Sequence, residues 1–291
     1  MVRSMLLLIL TIFQGYISAQ TLEDLLEAKL PAESEYAYST FKSTRIVNGH
    51  SIQRMPEKQL DFRISHRFSE LNGGIYEFFG LDYAQIHLSL EYGIKDWLMV
   101  GLGRSNFEKT ADGFAKFSVL RQSSGERNMP VHLSFLLSAE AYGMKWLDQA
   151  DRHFGSRMTY VQQILIARKF NDAFSIQFTP THLYRNLPPG PSETNSLFAL
   201  GVGGMVKVTS RMSLNGEYYP VFRDQTEFSG IKYHNPFSIG VDIETGGHVF
   251  QLMLTNSRSM REGSFIGRTT GNWLDGDIHF GFNISRVFSF N

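Results

Sequence analysis

Residues 84–103 read AQIHLSLEYGIKDWLMVGLG. Ala84, Ile86, Leu88, Leu90 and Tyr92 fall on one parity, and Gln85, His87, Ser89, Glu91 and Gly93 on the other. A two-residue period is the signature of a β-strand, whose successive side chains point to opposite faces. Lys95 and Asp96 then reverse the chain, and the alternation resumes at Leu98, Val100 and Leu102, opposed by Gly101 and Gly103. A hairpin of this kind, about ten residues per strand with a continuous apolar face, is the repeating unit of a membrane-spanning barrel.

The same signal recurs on both sides of the stretch. Leu60, Phe62, Ile64 and Phe68 oppose Asp61, Arg63, Ser65 and Arg67. Further strands are expected at 113–121, 130–141, 157–169, 174–184, 196–207, 211–221, 236–245, 248–255 and 277–290, giving twelve. In the last, Phe280, Phe282, Ile284, Phe288 and Phe290 oppose His279, Gly281, Asn283, Ser285 and Ser289. Connections are short at 95–96, 171–172, 209–210 and 245–247, somewhat longer at 123–129, and long at 69–82, 104–112, 142–156, 185–195, 222–235 and 256–276. Strict short–long alternation is what a barrel with short turns at one membrane face and long loops at the other produces. The fold class is therefore all-β: a transmembrane antiparallel up-and-down β-barrel of about 12 strands. Strands of about 10 residues, rising ~3.3 Å each and tilted ~40°, span the ~25 Å apolar band. Aromatics near strand ends, at Tyr92, Trp97, Phe170, Phe174, Tyr184, Tyr218 and Tyr219, fit the membrane interfaces. Two segments alternate poorly, 113–121 and 157–169, and Pro180, which cannot donate to a ladder, is expected near the outer end of its strand.

Composition bounds the chemistry. Among 291 residues, 28 basic side chains balance 28 acidic ones, so no net field favours nucleic acid. The absence of cysteine excludes disulfides, thiolate metal sites, cysteine nucleophiles and a lipidated cysteine anchor. Met1–Arg3 followed by an apolar run from Met5 to Phe13 and small Ser18 and Ala19 reads as a signal peptide over residues 1–19. Leu22, Leu25, Leu26 and Leu30 suggest a short amphipathic helix from Thr21 to Leu30, and a short strand is possible at Ser43–Val47 before Gly49. Residues 20–57 form an N-terminal segment, periplasmic or lodged in the barrel mouth as a plug, and 58–291 the barrel.

Several stretches carry a resemblance beyond periodicity: FKSTRIVNGHS at Phe41–Ser51, SHRF at Ser65–Phe68, EYGIKDWLMVGLGRS at Glu91–Ser105, LRQSSG at Leu120–Gly125 and GNWLDGDIHFGF at Gly271–Phe282. Across nearly all of the mature chain the sequence resembles a bacterial family of membrane β-barrels classed as a domain of unknown function. The resemblance implies the outer membrane of a Gram-negative bacterium. It implies no activity and no catalytic residues.

Candidate chemistry lies on the polar parity. Arg63, His87, Glu91, His132, Glu140, Asp242 and Glu244 are lumen-lining candidates, with Asp61, Arg67, Lys169, Glu217 and His279 on the same register. They either pair across strands and fill the interior or line a narrow path for a small polar solute; twelve strands enclose far less space than the 16–18 of open porins. A His-x-Ser pair occurs at His87–Ser89 and His132–Ser134, the spacing at which an imidazole on a strand can lie beside a hydroxyl, but both pairs fall on the lumen parity. A lipid hydrolase requires such a pair on the outer face, with an acid or amide on a neighbouring strand. Gly101–Gly103 and Gly201–Gly204 lie within strands and read as a crowded wall, because a phosphate loop needs a strand-to-helix turn. Asp275–Gly276–Asp277 reads as a turn, and no histidine spacing suggests a metal site. The expected function is porin-like passage or binding of a small polar solute, without cofactor. The alternatives are a phospholipase-type hydrolase and a plugged structural barrel docking a partner through Trp146 and Trp273. Expected partners are the lipid bilayer and the outer-membrane insertion machinery, which in many barrels reads a terminal aromatic; here Phe290 stands one place before the end.

Overall fold

The computed structural model describes residues 34–146, 152–188, 190, 193–224, 226–228 and 230–290. The signal peptide and the helix expected at Thr21–Leu30 lie outside the described residues. Twelve strands form the barrel: β1 (Gln59–Glu70), β2 (Ala84–Lys95), β3 (Leu98–Ser105), β4 (Ala111–Leu120), β5 (His132–Ala141), β6 (Met158–Lys169), β7 (Phe174–Arg185), β8 (Ser196–Lys207), β9 (Met212–Tyr218), β10 (Phe237–Thr245), β11 (His248–Thr255) and β12 (His279–Ser289). Each strand pairs antiparallel with its sequence neighbour, and β12 closes on β1 through pairs such as Ile284↔Ile64 and Ser285↔Arg63. Closure satisfies every ladder internally, which is the condition for strands to cross a bilayer. Among the described residues no helix is long and apolar enough to do so. As a separate unit, Glu35–Tyr36 pairs with Ser123–Ser124, and the Arg127 N–H donates to Ser34 Oγ at 3.0 Å.

Side-chain parity follows the sequence. Leu88 and Leu90 are about half exposed on the outer face, whereas His87, Ser89 and Glu91 are buried inside. The weak alternation of 113–121 has a physical cause: β4 carries a register shift between Ser118 and Leu120, and its inward residues are the dissimilar Phe114 and Lys116. Pro180 lies mid-strand in β7, not at its outer end. The β6–β7 ladder stops at Gln163↔Thr181 and resumes at Ile166↔Phe178, so the missing proline N–H falls in an interruption of the pairing. Tyr219 is a second correction. It follows Glu217 on the inward parity and is 1 % exposed, inside the barrel instead of at an interface. Loop lengths alternate with one local inversion: residues 106–110 at the long-loop end are fewer than residues 121–131 at the short-turn end.

Two inserts occupy the interior. From the short-turn end, Lys42 anchors on Ser210 O (2.8 Å) and Glu244 (2.6 Å); the chain then runs inward, turns at Asn48–Gly49 and leaves past the β2–β3 turn, where the Arg54 side chain meets Asp96 O. The strand expected at Ser43–Val47 is instead a series of bends with one bridge, Arg45↔His50, because its polar groups bond to the barrel wall instead of to a strand partner. From the long-loop end, the β11–β12 connection folds inward and carries α1 (Glu262–Arg268), of which Glu262 to Gly267 are buried.

Candidate functional site

The wall facing these inserts is half core and half polar network. Phe41, Ile46, Val47 and Ile52 of the inner segment pack against Leu165, Ala167, Met205 and Met253. Phe265 and Ile266 of α1 pack against Val161, Leu183, Leu197, Ala199 and Tyr219. Apolar side chains on the inward parity of β6, β7 and β8 would be costly facing water; here they cover an internal core. Glycines supply the room. A Cβ at Gly203 would overlap Ile46, one at Gly201 would overlap the Tyr219 ring, and one at Gly49 would overlap the Tyr219 hydroxyl. The glycine run in β8 is thus a crowded wall, as its sequence context suggests.

The polar half holds the inner segment by its backbone. Glu217 accepts three N–H groups at the turn, from Val47 (3.3 Å), Asn48 (2.7 Å) and Gly49 (3.0 Å). Lys116 Nζ donates to Ser51 O (3.0 Å) and Gln53 O (2.8 Å), and Gln177 Nε2 to His50 O (2.8 Å). Arg67 reaches Asn48 Oδ1 (2.8 Å), and Asn283 Nδ2 reaches Val47 O (3.2 Å). A segment without regular structure can be buried only if its amides and carbonyls find such partners.

The residues singled out on the lumen parity are placed as follows. Arg63 donates to Thr44 Oγ1 (2.7 Å), Ser43 Oγ (3.1 Å) and Asp61 (2.8 Å), and Glu91 accepts from Thr44 Oγ1 (2.7 Å) and Arg45 (3.2 Å). Asp242 accepts from Gln251 (2.9 Å), and Glu140 accepts the Gly263 N–H of α1 (2.6 Å) while facing Arg261 (3.5 Å). His87 pairs with Asp112 (2.8 Å), and His132 Nε2 lies 3.3 Å from Ser118 Oγ. Glu244 departs from the group: at the short-turn rim, half exposed, it binds Lys42. The i, i+2 spacing does not bring histidine and serine together. His87 and His132 bond across strands, and Ser89 Oγ and Ser134 Oγ have no hydrogen-bond partner among the described residues. Both pairs face the interior. In the Asp275–Asp277 turn, Asn272 Nδ2 donates to Asp275 and Asn72 Nδ2 to Asp277, so these carboxylates are engaged within the loops.

The two inserts meet in one cluster that the sequence did not announce. Arg45 of the inner segment binds Glu262 of α1 at 2.6 Å, and His50 Nε2 lies 3.6 Å from the same carboxylate, with its ring edge-on to Phe114. Burial pushes the His50 pKa well below its usual value, helped by Arg45, Lys116 and Arg63. Burial raises Glu262 to about 7 against the pull of Arg45. Beside this junction a cavity among Arg45, Asn48, Arg63, Arg67 and Met260 has about 10 Å³, space for about one water. Above it, at the long-loop end, lies a cavity of about 740 Å³. Among the described residues, six basic side chains line it (Lys145, Arg152, Arg157, Arg185, Arg261 and Arg268) with two carboxylates, Glu108, which binds Arg268, and Glu140, which faces Arg261. Trp146 is stacked on Tyr142, with the Arg152 and Arg157 guanidinium groups 4.5 and 4.8 Å from its ring centre. The other loop tryptophan, Trp273, spends its N–H on Phe237 O (2.9 Å).

A family model described as "Membrane bound beta barrel domain (DUF5777)" matches residues 41–288. The chain belongs to this family. Solved structures of similar fold include an outer membrane channel from Pseudomonas putida F1, 14 % identical over 81 % of this chain and 98 % of that one, TM-score 0.49. The NanC porin is 8 % identical over 80 % of this chain and 99 % of its own, TM-score 0.48. Omp33 of Acinetobacter baumannii is 9 % identical over 80 % and 99 %, TM-score 0.43. No curated protein sequence matches the chain. The protein is a membrane-bound, closed twelve-strand β-barrel whose structural neighbours are outer-membrane porins and channels.

Proposed function

We propose that this barrel sits in the outer membrane of a Gram-negative bacterium, captures a small anionic solute in its long-loop cavity, and passes it only when the two inserts shift. On this reading residues 1–19 export the chain, the insertion machinery assembles it, and the short turns face the periplasm. The observation that carries the solute class is the cavity lining: among the described residues six basic side chains face it, of which Arg185, Arg261 and Arg268 pair with Glu193, Glu140 and Glu108, while Arg152 and Arg157 flank the Trp146 ring. Guanidinium groups match carboxylate and phosphate oxygens bidentately, and a cavity of this volume is in the range of small-molecule sites. The buried polar side chains further down, Arg63, His87, Glu91, His132 and Asp242, hold the closed arrangement on this account instead of lining an open path, and Glu140, at the cavity itself, holds α1.

The test is a titration of Trp146 fluorescence in the refolded protein, with Trp146→Phe as the control for the other two tryptophans. Glucuronate is expected to give a saturable change that glucose does not. Arg152→Gln and Arg157→Gln should each weaken it about tenfold, a loss of about 1.4 kcal/mol. No saturable change, or an equal response to glucose, contradicts the anionic-solute reading.

A further inference from the structure

The outer face carries an arrangement drawn from three strands, unlike the same-strand His-x-Ser pairs. Three polar side chains from three adjacent strands, Gln162 of β6, His182 of β7 and Ser196 of β8, form a continuous hydrogen-bonded line. His182 Nδ1 lies 2.6 Å from Gln162 Oε1, and His182 Nε2 lies 2.7 Å from Ser196 Oγ. The Gln162 carbonyl oxygen can only accept, so Nδ1 carries the ring proton and Nε2 presents its lone pair to the serine hydroxyl. That is the relation of nucleophile, base and orienting group in a hydrolytic triad.

Parity and register place the line on the lipid-facing surface. On β6 the inward residues are Val161 and Gln163; on β7 they are Thr181 and Leu183; on β8 Leu197 faces in. Gln162, His182 and Ser196 therefore point outward. Gln162↔His182↔Phe198 forms one cross-strand row, and Tyr160↔Tyr184↔Ser196 forms the next row toward the long-loop end. The two tyrosines are exposed on the outside, and outward tyrosines mark the headgroup level. The Gln162–His182 pair thus sits one step inside the headgroup level, the depth of a glycerolipid's ester carbonyls. Polar side chains facing lipid are costly, and mutual hydrogen bonding lowers that cost without explaining the order donor, base, acceptor. The imidazole is also held in plane by the Phe198 ring, with centroids 4.8 Å apart.

From this geometry we infer that the outer wall carries an ester-hydrolysing site for bilayer lipids, with Ser196 as nucleophile, His182 as general base and acid, and Gln162 as the positioning residue. Ser196 Oγ attacks the acyl carbonyl carbon as its proton passes to His182 Nε2. The ester C–O bond breaks, and the leaving alcohol oxygen takes that proton, leaving an acyl-serine and a lysolipid. Water then attacks the acyl carbon, His182 accepts and returns a proton, and a free fatty acid and Ser196 are released. This site shares no residue with the solute cavity, so either stands without the other.

The test uses the refolded full chain in phospholipid–detergent micelles, with retention of folded electrophoretic mobility as the check on each variant. A fluorophosphonate probe is expected to add to Ser196, located by peptide mass, and fatty acid to be released from phosphatidylcholine. Ser196→Ala should abolish both, and His182→Ala should slow labelling at least a hundredfold. Ser134→Ala, inside the barrel, should leave both unchanged. Gln162→Ala should slow labelling, and Gln162→Glu should restore it with the acid limb of the pH–rate profile moved to higher pH, because a carboxylate favours the imidazolium. A folded protein that neither labels at Ser196 nor releases fatty acid overturns the proposal, as does labelling at Ser196 that persists at the same rate without His182.

Discussion

At the scale of single residues, Glu217 organises the deepest part of the interior. Its carboxylate accepts the amides of Val47, Asn48 and Gly49, three N–H groups converging on one turn. Glu217→Ala would leave those buried donors without their acceptor, at about 1–3 kcal/mol for each unsatisfied group. We expect the inner segment to lose about 3 kcal/mol or more of its docking free energy while the strands persist. Amide exchange at 47–49 should then accelerate at least a hundredfold; unchanged exchange contradicts this role. The inward direction of Glu217 is legible from its parity, as are those of Arg63 and Glu91. Its partner is not, because alternation fixes which way a side chain points and carries no information on what meets it there. The same limit explains why Tyr219 reads as an interface aromatic when only its place at a strand end is considered. The cross-strand contacts of His182 depend on register between strands, which spacing within one strand does not encode.

Among the elements, the strands were the easily read part and the inserts the hidden one. Lipid on one side imposes an apolar parity that any twelve-strand barrel must show, so β1 to β12 stand where the alternation places them. The lapses in that pattern carried the missing information. Val161, Leu165 and Ala167 put apolar groups on the inward parity of β6 because α1 and the inner segment cover them, so what reads as weak alternation is a second buried face. The seven-residue α1 is too short for a periodic signal and is stable only by packing. Its docking should depend on pH through Glu262. The carboxyl's pKa, raised to about 7 from 4.5, means the docked loop binds this proton more tightly than the released one. The corresponding stabilisation is complete below about pH 4.5 and is lost as pH rises through about 7. Arg45, His50, Glu140, Asp112 and Lys116 are ionisable groups that act on it. A spin label at an introduced Thr270→Cys, in a chain without other cysteines, should become more mobile between pH 5 and 8, and Glu262→Gln should flatten that change. A steeper mobility rise toward acid in the parent contradicts the assignment.

For the whole molecule, the decisive feature is that closure of the sheet and closure of the lumen are separate. Ladder pairs around the full circumference make the wall, and contacts of a different kind, Ile46 against Gly203, Arg45 against Glu262 and Phe265 against Tyr219, fill it. Barrels of this strand number can be packed solid or left as narrow channels, and strand count alone does not choose between them. The sequence is compatible with both states for that reason. The most direct measurement is planar-bilayer conductance of the refolded chain, complete and lacking residues 20–57. The account predicts that the complete protein stays almost entirely closed and that the shortened one conducts steadily, with anions favoured by the cationic cavity. A complete protein that conducts as freely as the shortened one, or a shortened one that remains closed, would contradict it.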